Sequence, residues 1–289
     1  MSRIAYVNGR YLPHALAGVH VEDRGFQFAD GVYEVIAVQG GRFVDEGHHL
    51  NRLDRSLTEI RMAWPMSRRS MRLVMREVIR RNRIFRRGII YIQVTRGAAP
   101  RNFAFPASVE SSLVMTARTL PPLDPAAMRE GVSVIIVPDR RWPRRDIKSV
   151  SLLPNVLAKQ QAVDHKAFEA WQVDDDGVIT EGTSSNAWIV TAEGELVTRR
   201  ADTAILSGVT RRMIMAICAE HGVTFAEKGF TVDQAKSARE AFLTSTTALV
   251  TPVVHIDGDS IGGGEIGPIT ERLLAFYLDH MLKPQDQYL

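Results

Sequence analysis

Three prolines close together, Pro121, Pro122 and Pro125, set the firmest limit on how this chain folds. Proline removes a backbone donor and fixes φ, so neither a helix nor a paired strand is expected to run through residues 119–125. The sequence therefore predicts a smaller N-terminal domain over residues 1–118, a linker over 119–125 and a larger C-terminal domain over 126–289. Both sides mix short strand-like runs with helical ones, and the expected class is α/β (mixed α+β). Asn8-Gly9 and Gly40-Gly41 mark hairpins in the first part. A helical section follows from about His49 to Ile84, broken at Trp64-Pro65, and strands resume at Ile89–Thr95 and Leu113–Ala117. Beyond the prolines, Val132–Val137 reads as a buried strand, Asn155 to His165 as a helix, and Asp176-Gly177 and Glu193-Gly194 as hairpin turns. A helix is expected from Thr210, as its N-cap, to His221-Gly222, and another from Pro268.

Apolar residues at 45% and charged residues at 24% supply an ordinary core and argue against disorder. No apolar run reaches the roughly 20 residues of a membrane span. The opening residues lack the apolar stretch of a secretion signal, so a membrane is not an expected partner and the cytoplasm is the expected compartment. The net charge of +3 is mildly basic, and arginines crowd between Arg68 and Arg87. Met71, Val74, Met75, Val78 and Ile79 recur there at the spacing of one buried helix face, which leaves the arginines to solvent. No aromatic residues interleave with them for base stacking, so nucleic acid is not an expected partner. A binding module built on this arginine-rich helix is the alternative from another class. The single cysteine, Cys218, excludes an intramolecular disulfide and reads as a small core residue. His48 and His49 point different ways on a helix and have no third ligand at a suitable spacing, so no metal is expected.

The chain has six lysines, none before Lys148. A lysine that attacks a carbonyl needs a neutral amine, which burial or nearby cations favour, and arginines at 140, 141, 144 and 145 bring positive charge just before Lys148 in sequence. Lys159 and Lys166 lie on an expected surface helix, Lys228 and Lys236 in polar stretches, and Lys283 beside Pro284. Leu206-Ser-Gly-Val-Thr-Arg211 opens a helix, and its free amides suit either a phosphate or ordinary capping. Thr244-Ser-Thr-Thr247 follows a strand-like run and offers hydroxyl donors to an anion, or forms a plain loop. Glu181 follows a hairpin strand, where a carboxylate could hold a proton on a heteroaromatic nitrogen or simply face water.

Five segments together resemble the fold-type IV pyridoxal-phosphate enzymes, and among them the D-amino-acid aminotransferases. They are Arg24-Gly-Phe-Gln-Phe-Ala-Asp-Gly-Val-Tyr-Glu34, the Asp146–Gln160 segment around Lys148, Glu181-Gly-Thr-Ser-Ser-Asn186, Ile205–Arg211 and Thr244–Thr247, in the family's order and at its spacing. The resemblance implies a two-domain architecture with the cofactor, pyridoxal 5′-phosphate, in the interdomain cleft and held on Lys148 as a Schiff base. It also implies ping-pong transfer of an amine from a D-amino acid to an α-keto acid. Lys148 would then be the catalytic acid–base, Glu181 the partner of the pyridine nitrogen, and Leu206 a support for the ring. Arg52, Val209, Thr210 and Thr246 would hold the phosphate, with Ser245 behind them. Tyr33, Arg101 and Thr247 would meet the substrate, and the assembly would be a homodimer.

One position departs from the pattern. In the loop Thr95–Phe103, Arg101 matches the arginine of the family's carboxylate trap, but Phe103 stands where a histidine is expected. Phenylalanine donates no hydrogen bond, so Arg101 and Tyr33 would hold the carboxylate without it. Within the same fold the alternatives are a branched-chain L-amino-acid aminotransferase, an (R)-amine transaminase and an aminodeoxychorismate lyase.

Overall fold

The computed structural model describes residues 3–283. The chain divides into two compact units, one of residues 3–122 with Ile147–Ser151, the other of Leu123–Asp146 and Leu152–Lys283.

The first unit is built on an antiparallel sheet. Asn8 and Gly9 both take positive φ, 44° and 89°, in a two-residue turn. That geometry pairs β1 (Ile4–Val7) tightly with β2 (Arg10–Pro13). The short helix α1 (Arg24–Phe28) is capped by the Asp23 carboxylate, which accepts from the Gly25 and Phe26 amides. Strands β3 (Gly31–Gln39), β4 (Arg42–Phe43), β5 (Arg87–Thr95) and β6 (Ser112–Thr119) complete the order β2-β1-β6-β5-β3-β4. Helices α2 (Glu46–Glu59) and α3 (Arg68–Arg81) flank the expected break at Trp64-Pro65. Val32, Ile36 and Val38 alternate along β3 into one core with Leu50, Leu53 and Leu57 of α2 and Met71 and Met75 of α3. Each such fully buried side chain contributes about 1.5–3 kcal/mol. Tyr33 and Val35, on the other parity, are only half-buried.

In the second unit the strands are β7 (Val132–Pro138), β8 (Glu169–Val173), β9 (Ile179–Gly182), β10 (Asn186–Val190), β11 (Leu196–Thr198), β12 (Phe225–Glu227), β13 (Glu240–Ser245), β14 (Leu249–Ile256) and the short β15 (Asp259–Ser260), which pairs with β14. They form a mixed sheet in the order β12-β11-β10-β13-β14-β7-β8-β9. Helices α4 (Leu153–Asp164), α5 (Val209–Glu220), α6 (Val232–Lys236) and α7 (Pro268–Leu282) accompany it. Trp171, Ile189, Leu243, Val253 and Ile256 are among its core residues.

Besides shifts of a few residues at the starts of α2 and α4, two boundaries at candidate site residues differ from expectation. Helix α5 starts at Val209 with Gly208 as its cap, so Thr210 lies inside the helix. A Cβ on residue 208 would collide with Asn186 Oδ1, so the close approach of that amide requires glycine here. Strand β13 runs on through Ser245, so half of the hydroxyl cluster is strand rather than loop. Among the described residues no helix is long and apolar enough to cross a membrane.

Candidate active site

In the first unit, the segment carrying Lys148 lies antiparallel against the start of β3. The Tyr33 amide donates to the Lys148 carbonyl at 3.0 Å, the Val150 amide donates to the Gly31 carbonyl at 3.0 Å, and Val32 and Ser149 form a bridge. This pairing sets the lysine beside Tyr33, with Nζ 4.3 Å from the ring centroid. The Lys148 amide donates to Ser56 Oγ at 3.4 Å. Tyr33 also stacks on Tyr91 at 5.6 Å.

Behind Tyr33 the next residue, Glu34, points into the core and is fully buried. Arg52 grips it with two bonds, Nε to Oε1 at 2.7 Å and Nη2 to Oε2 at 2.9 Å, and His49 Nδ1 lies 2.8 Å from Oε2. His49 and Arg52 sit three residues apart on α2 and so share a face. Burial opposes ionisation of Glu34, but Arg52 and His49 outweigh it and hold the carboxyl at about 2. Burial pulls His49 below its ordinary value against the attraction of Glu34, which favours the neutral ring.

Arg101 is exposed in the loop after β5, its guanidinium 4.7 Å over the Phe28 ring. Tyr33 and Arg101 are thus held by different neighbours. Phe103 is exposed and packs its ring on Phe28 at 5.3 Å.

The second unit centres on Glu181. Its sequence context suggests a position after a strand, but it lies within β9 and is buried. Its carboxylate accepts from Arg141 Nη1, from Asn186 Nδ2 at 2.9 Å and from the Leu206 amide at 3.1 Å. Full burial pushes Glu181 above the ordinary carboxylate value, against the pull of Arg141. Asn186 also donates to the Leu206 carbonyl at 2.9 Å, so one amide ties β10 to the turn leading into α5. Gly208 provides no side-chain cap, so the first amides of α5, on Val209 and Thr210, lack a side-chain acceptor from the cap residue. Thr210 Oγ1 lies 3.4 Å from Tyr277 Oη. Ser245 Oγ accepts from the Ala248 amide at 3.1 Å, which shapes the turn bearing Thr246 and Thr247.

Three of the arginines that precede Lys148 in sequence are paired with carboxylates. Arg141 and Arg145 both pair with Asp139, at 2.7 and 3.1 Å, and Arg144 pairs with Asp146 at 3.0 Å. Sequence reasoning alone does not single out Asp139, Arg141 or Asn186 as site residues, although the close spacing of Asp139 and Arg141 signals a local pair. Glu34 is legible as a charge at a core-facing position of β3. Cys218 is buried, which pushes its thiol up to about 11 and keeps it protonated. No cluster of three potential metal ligands occurs among the described residues.

Comparison with known proteins sets this geometry in context. The family model for amino-transferase class IV matches residues 31–256. The chain is 42% identical over 267 residues to a D-alanine aminotransferase of Bacillus licheniformis, spanning 92% of this chain and 93% of the relative. It is 39% identical over 268 residues to a D-alanine aminotransferase of Staphylococcus haemolyticus, spanning 93% and 94% of the two. Among solved structures, a T.th. branched-chain amino acid aminotransferase with pyridoxamine 5′-phosphate matches with a TM-score of 0.89 at 26% identity, over 100% of this chain and 97% of that one.

Proposed function

The chain belongs to the class IV aminotransferases, and from that premise we propose that it transfers the amine of a D-amino acid, such as D-alanine or D-glutamate, to 2-oxoglutarate or pyruvate. It is a pyridoxal 5′-phosphate-dependent transaminase with the fold-type IV architecture. The observation that carries the D-amino-acid reading is the likeness to D-alanine aminotransferases along nine-tenths of the chain, 92% at 42% identity.

When bound, pyridoxal 5′-phosphate supplies an aldehyde for the amine and an electron sink for the deprotonated α-carbon. The residues present suit that group. Lys148 would hold it and move the proton at the substrate α-carbon. The lysine main chain is fixed by the bond its carbonyl accepts from Tyr33 and by the nearby bond from Val150 to Gly31, so that motion falls to the flexible side chain. Glu181 would hold a proton on the ring nitrogen. Its carboxyl is raised by burial toward the basicity of such a nitrogen, and Asn186 and the Leu206 amide fix its orientation. The Leu206 side chain would support the ring face.

Arg52 would hold the phosphate. Glu34 occupies one edge of its guanidinium and thereby sets the direction of the remainder. The Val209 and Thr210 amides and the Thr246 hydroxyl would complete the anion site, with Ser245 setting the turn beneath Thr246. Tyr33, Arg101 and Thr247 would meet the substrate, Arg101 pairing with its carboxylate.

The test is to load the purified protein with cofactor and supply D-alanine or L-leucine, each with 2-oxoglutarate. Production of pyruvate and glutamate from D-alanine alone is the expected result. Turnover of L-leucine instead would move the protein to the branched-chain class. Release of pyruvate from aminodeoxychorismate with no keto acid present would make it a lyase. Within this reading, Glu181→Gln is expected to lower kcat by about a hundredfold, because an amide cannot keep the ring nitrogen protonated. Asp139 still neutralises Arg141 in that variant, so a normal melting curve with full kcat would remove Glu181 from the role.

A homodimer is part of the same proposal. Leu153, Val156, Leu157 and Val163 leave an apolar row exposed along α4, which supports association with a second copy. Light scattering at micromolar concentration is expected to give twice the chain mass, and a monomer mass would end this part of the reading.

A further inference from the structure

Helix α1 places Arg24 and Phe28 four residues apart, which brings both side chains to one face. Both engage the loop that carries Arg101. Buried Arg24 donates from Nη1 to the Asn102 carbonyl at 2.5 Å and from Nη2 to the Phe103 carbonyl at 3.4 Å, immediately after Arg101. Its amide donates to the Gly97 carbonyl at 2.9 Å, so the helix holds the loop at its start as well. The Arg24 charge is balanced by Asp30, 2.8 Å from Nε, and Asp30 is itself gripped by Arg96. The main chain on the C-terminal side of Arg101 is therefore tied to a buried anchor that Asp30 holds in place.

The side chain of Arg101 is held differently. Its guanidinium lies 4.7 Å over the Phe28 ring, and the Arg24 guanidinium lies 4.9 Å from the same ring. Phe103 packs against that ring as well. Among the described residues no carboxylate pairs with Arg101, and its guanidinium rests on an apolar ring. A ring attracts a guanidinium without offering a competing acceptor. It limits the rotamers of the long side chain while leaving its donors available to a carboxylate.

We infer that Phe28 is a positioning residue for substrate recognition, a shelf that holds Arg101 oriented toward the substrate carboxylate with Arg24 bracing the loop beneath. This rests on the reading of Arg101 as the carboxylate partner, and it deepens that reading by naming what substitutes for a donor at position 103. Loss of the shelf would weaken binding of any carboxylate ligand and leave the later chemistry of the bound substrate alone.

The experiment compares Phe28→Leu, Phe28→Tyr and Arg101→Ala in the cofactor-loaded enzyme, with D-alanine as donor and propionate as a competing carboxylate that carries no amine. In Phe28→Leu, KM for D-alanine and the inhibition constant of propionate are both expected to rise by about fivefold with kcat unchanged. Phe28→Tyr, which keeps the ring, is expected to match the parent. Arg101→Ala is expected to raise both constants by about thirtyfold or more, and adding Phe28→Leu to it is expected to change nothing further. If Phe28→Leu folds poorly, Phe28→Met serves the same comparison.

A rise in Arg101→Ala with none in the Phe28 variant would overturn the shelf and leave the carboxylate reading standing. Unchanged constants in Arg101→Ala would overturn both. An equal effect of Phe28→Leu with and without Arg101 would show that Phe28 acts through some other group, and would also end the proposal.

Discussion

Lys148→Ala is expected to lower kcat with D-alanine by about 10⁴-fold or more while the protein keeps its fold. Two functions are lost together, the attachment of the cofactor and the proton transfer at the α-carbon, and a positioned acid–base group alone contributes about 10²–10⁴. The fold should survive because the segment is held through its main chain. The Lys148 carbonyl accepts from Tyr33 and the Val150 amide donates to Gly31, and neither bond involves the lysine side chain. Beyond its place near the Tyr33 ring, the amine takes part in no ion pair among the described residues. Two measurements check this. Circular dichroism and the melting curve should match the parent, and the cofactor should be removable by gel filtration in the variant alone. Wild-type turnover in Lys148→Ala would mean that another of the six lysines carries the chemistry.

The second large effect is on stability. Glu34→Gln is expected to destabilise the folded protein at neutral pH by about 3 kcal/mol, because it removes the carboxylate charge that faces the buried Arg52 guanidinium. Glu34 sits at about 2 in the folded protein against an ordinary value of 4.5, and that difference corresponds to roughly 3 kcal/mol. A lowered carboxyl stabilises the fold above the unfolded value and loses that contribution as pH falls through the folded one. The gap between parent and variant should therefore be constant from pH 7 down to about pH 5 and narrow from about 4.5 toward 2. Urea denaturation of both proteins at pH 7, 4 and 3 measures it. Equal urea midpoints at pH 7 would mean that the attraction within the pair only balances the cost of burying it.

Local chemistry made much of the fold legible. Asn8-Gly9 demands a tight hairpin, Trp64-Pro65 marks the loop between two helices, and the alternation of Val32, Ile36 and Val38 marks a strand with one buried face. The start of α5 differs from expectation: its cap is Gly208, where Asn186, more than twenty residues earlier, leaves little room for a side chain. Thr210 is a good cap by propensity, and a tertiary contact overrides that propensity. The same limit governs the charges. Arg141, Arg144 and Arg145 are near Lys148 along the chain, but Asp139 and Asp146 neutralise them within a few residues, and Arg141 continues to Glu181 forty positions away. The candidate site residues become recognisable through the order and spacing of five segments. Periodicity finds buried faces and does not say which buried polar group meets which.

Strand β3 links two risks that many proteins keep separate. Tyr33, beside the lysine, and Glu34, bound to Arg52, are consecutive, so the pleat sends them to opposite faces. A slip of one residue would send Glu34 to the lysine side and Tyr33 into the core, and Val32, Ile36 and Val38 would leave the core with it. Misalignment would therefore cost core packing and the site geometry together. For this strand, a cell that removes unfolded chains also removes the mis-registered ones, and proofreading of the fold doubles as proofreading of the catalyst.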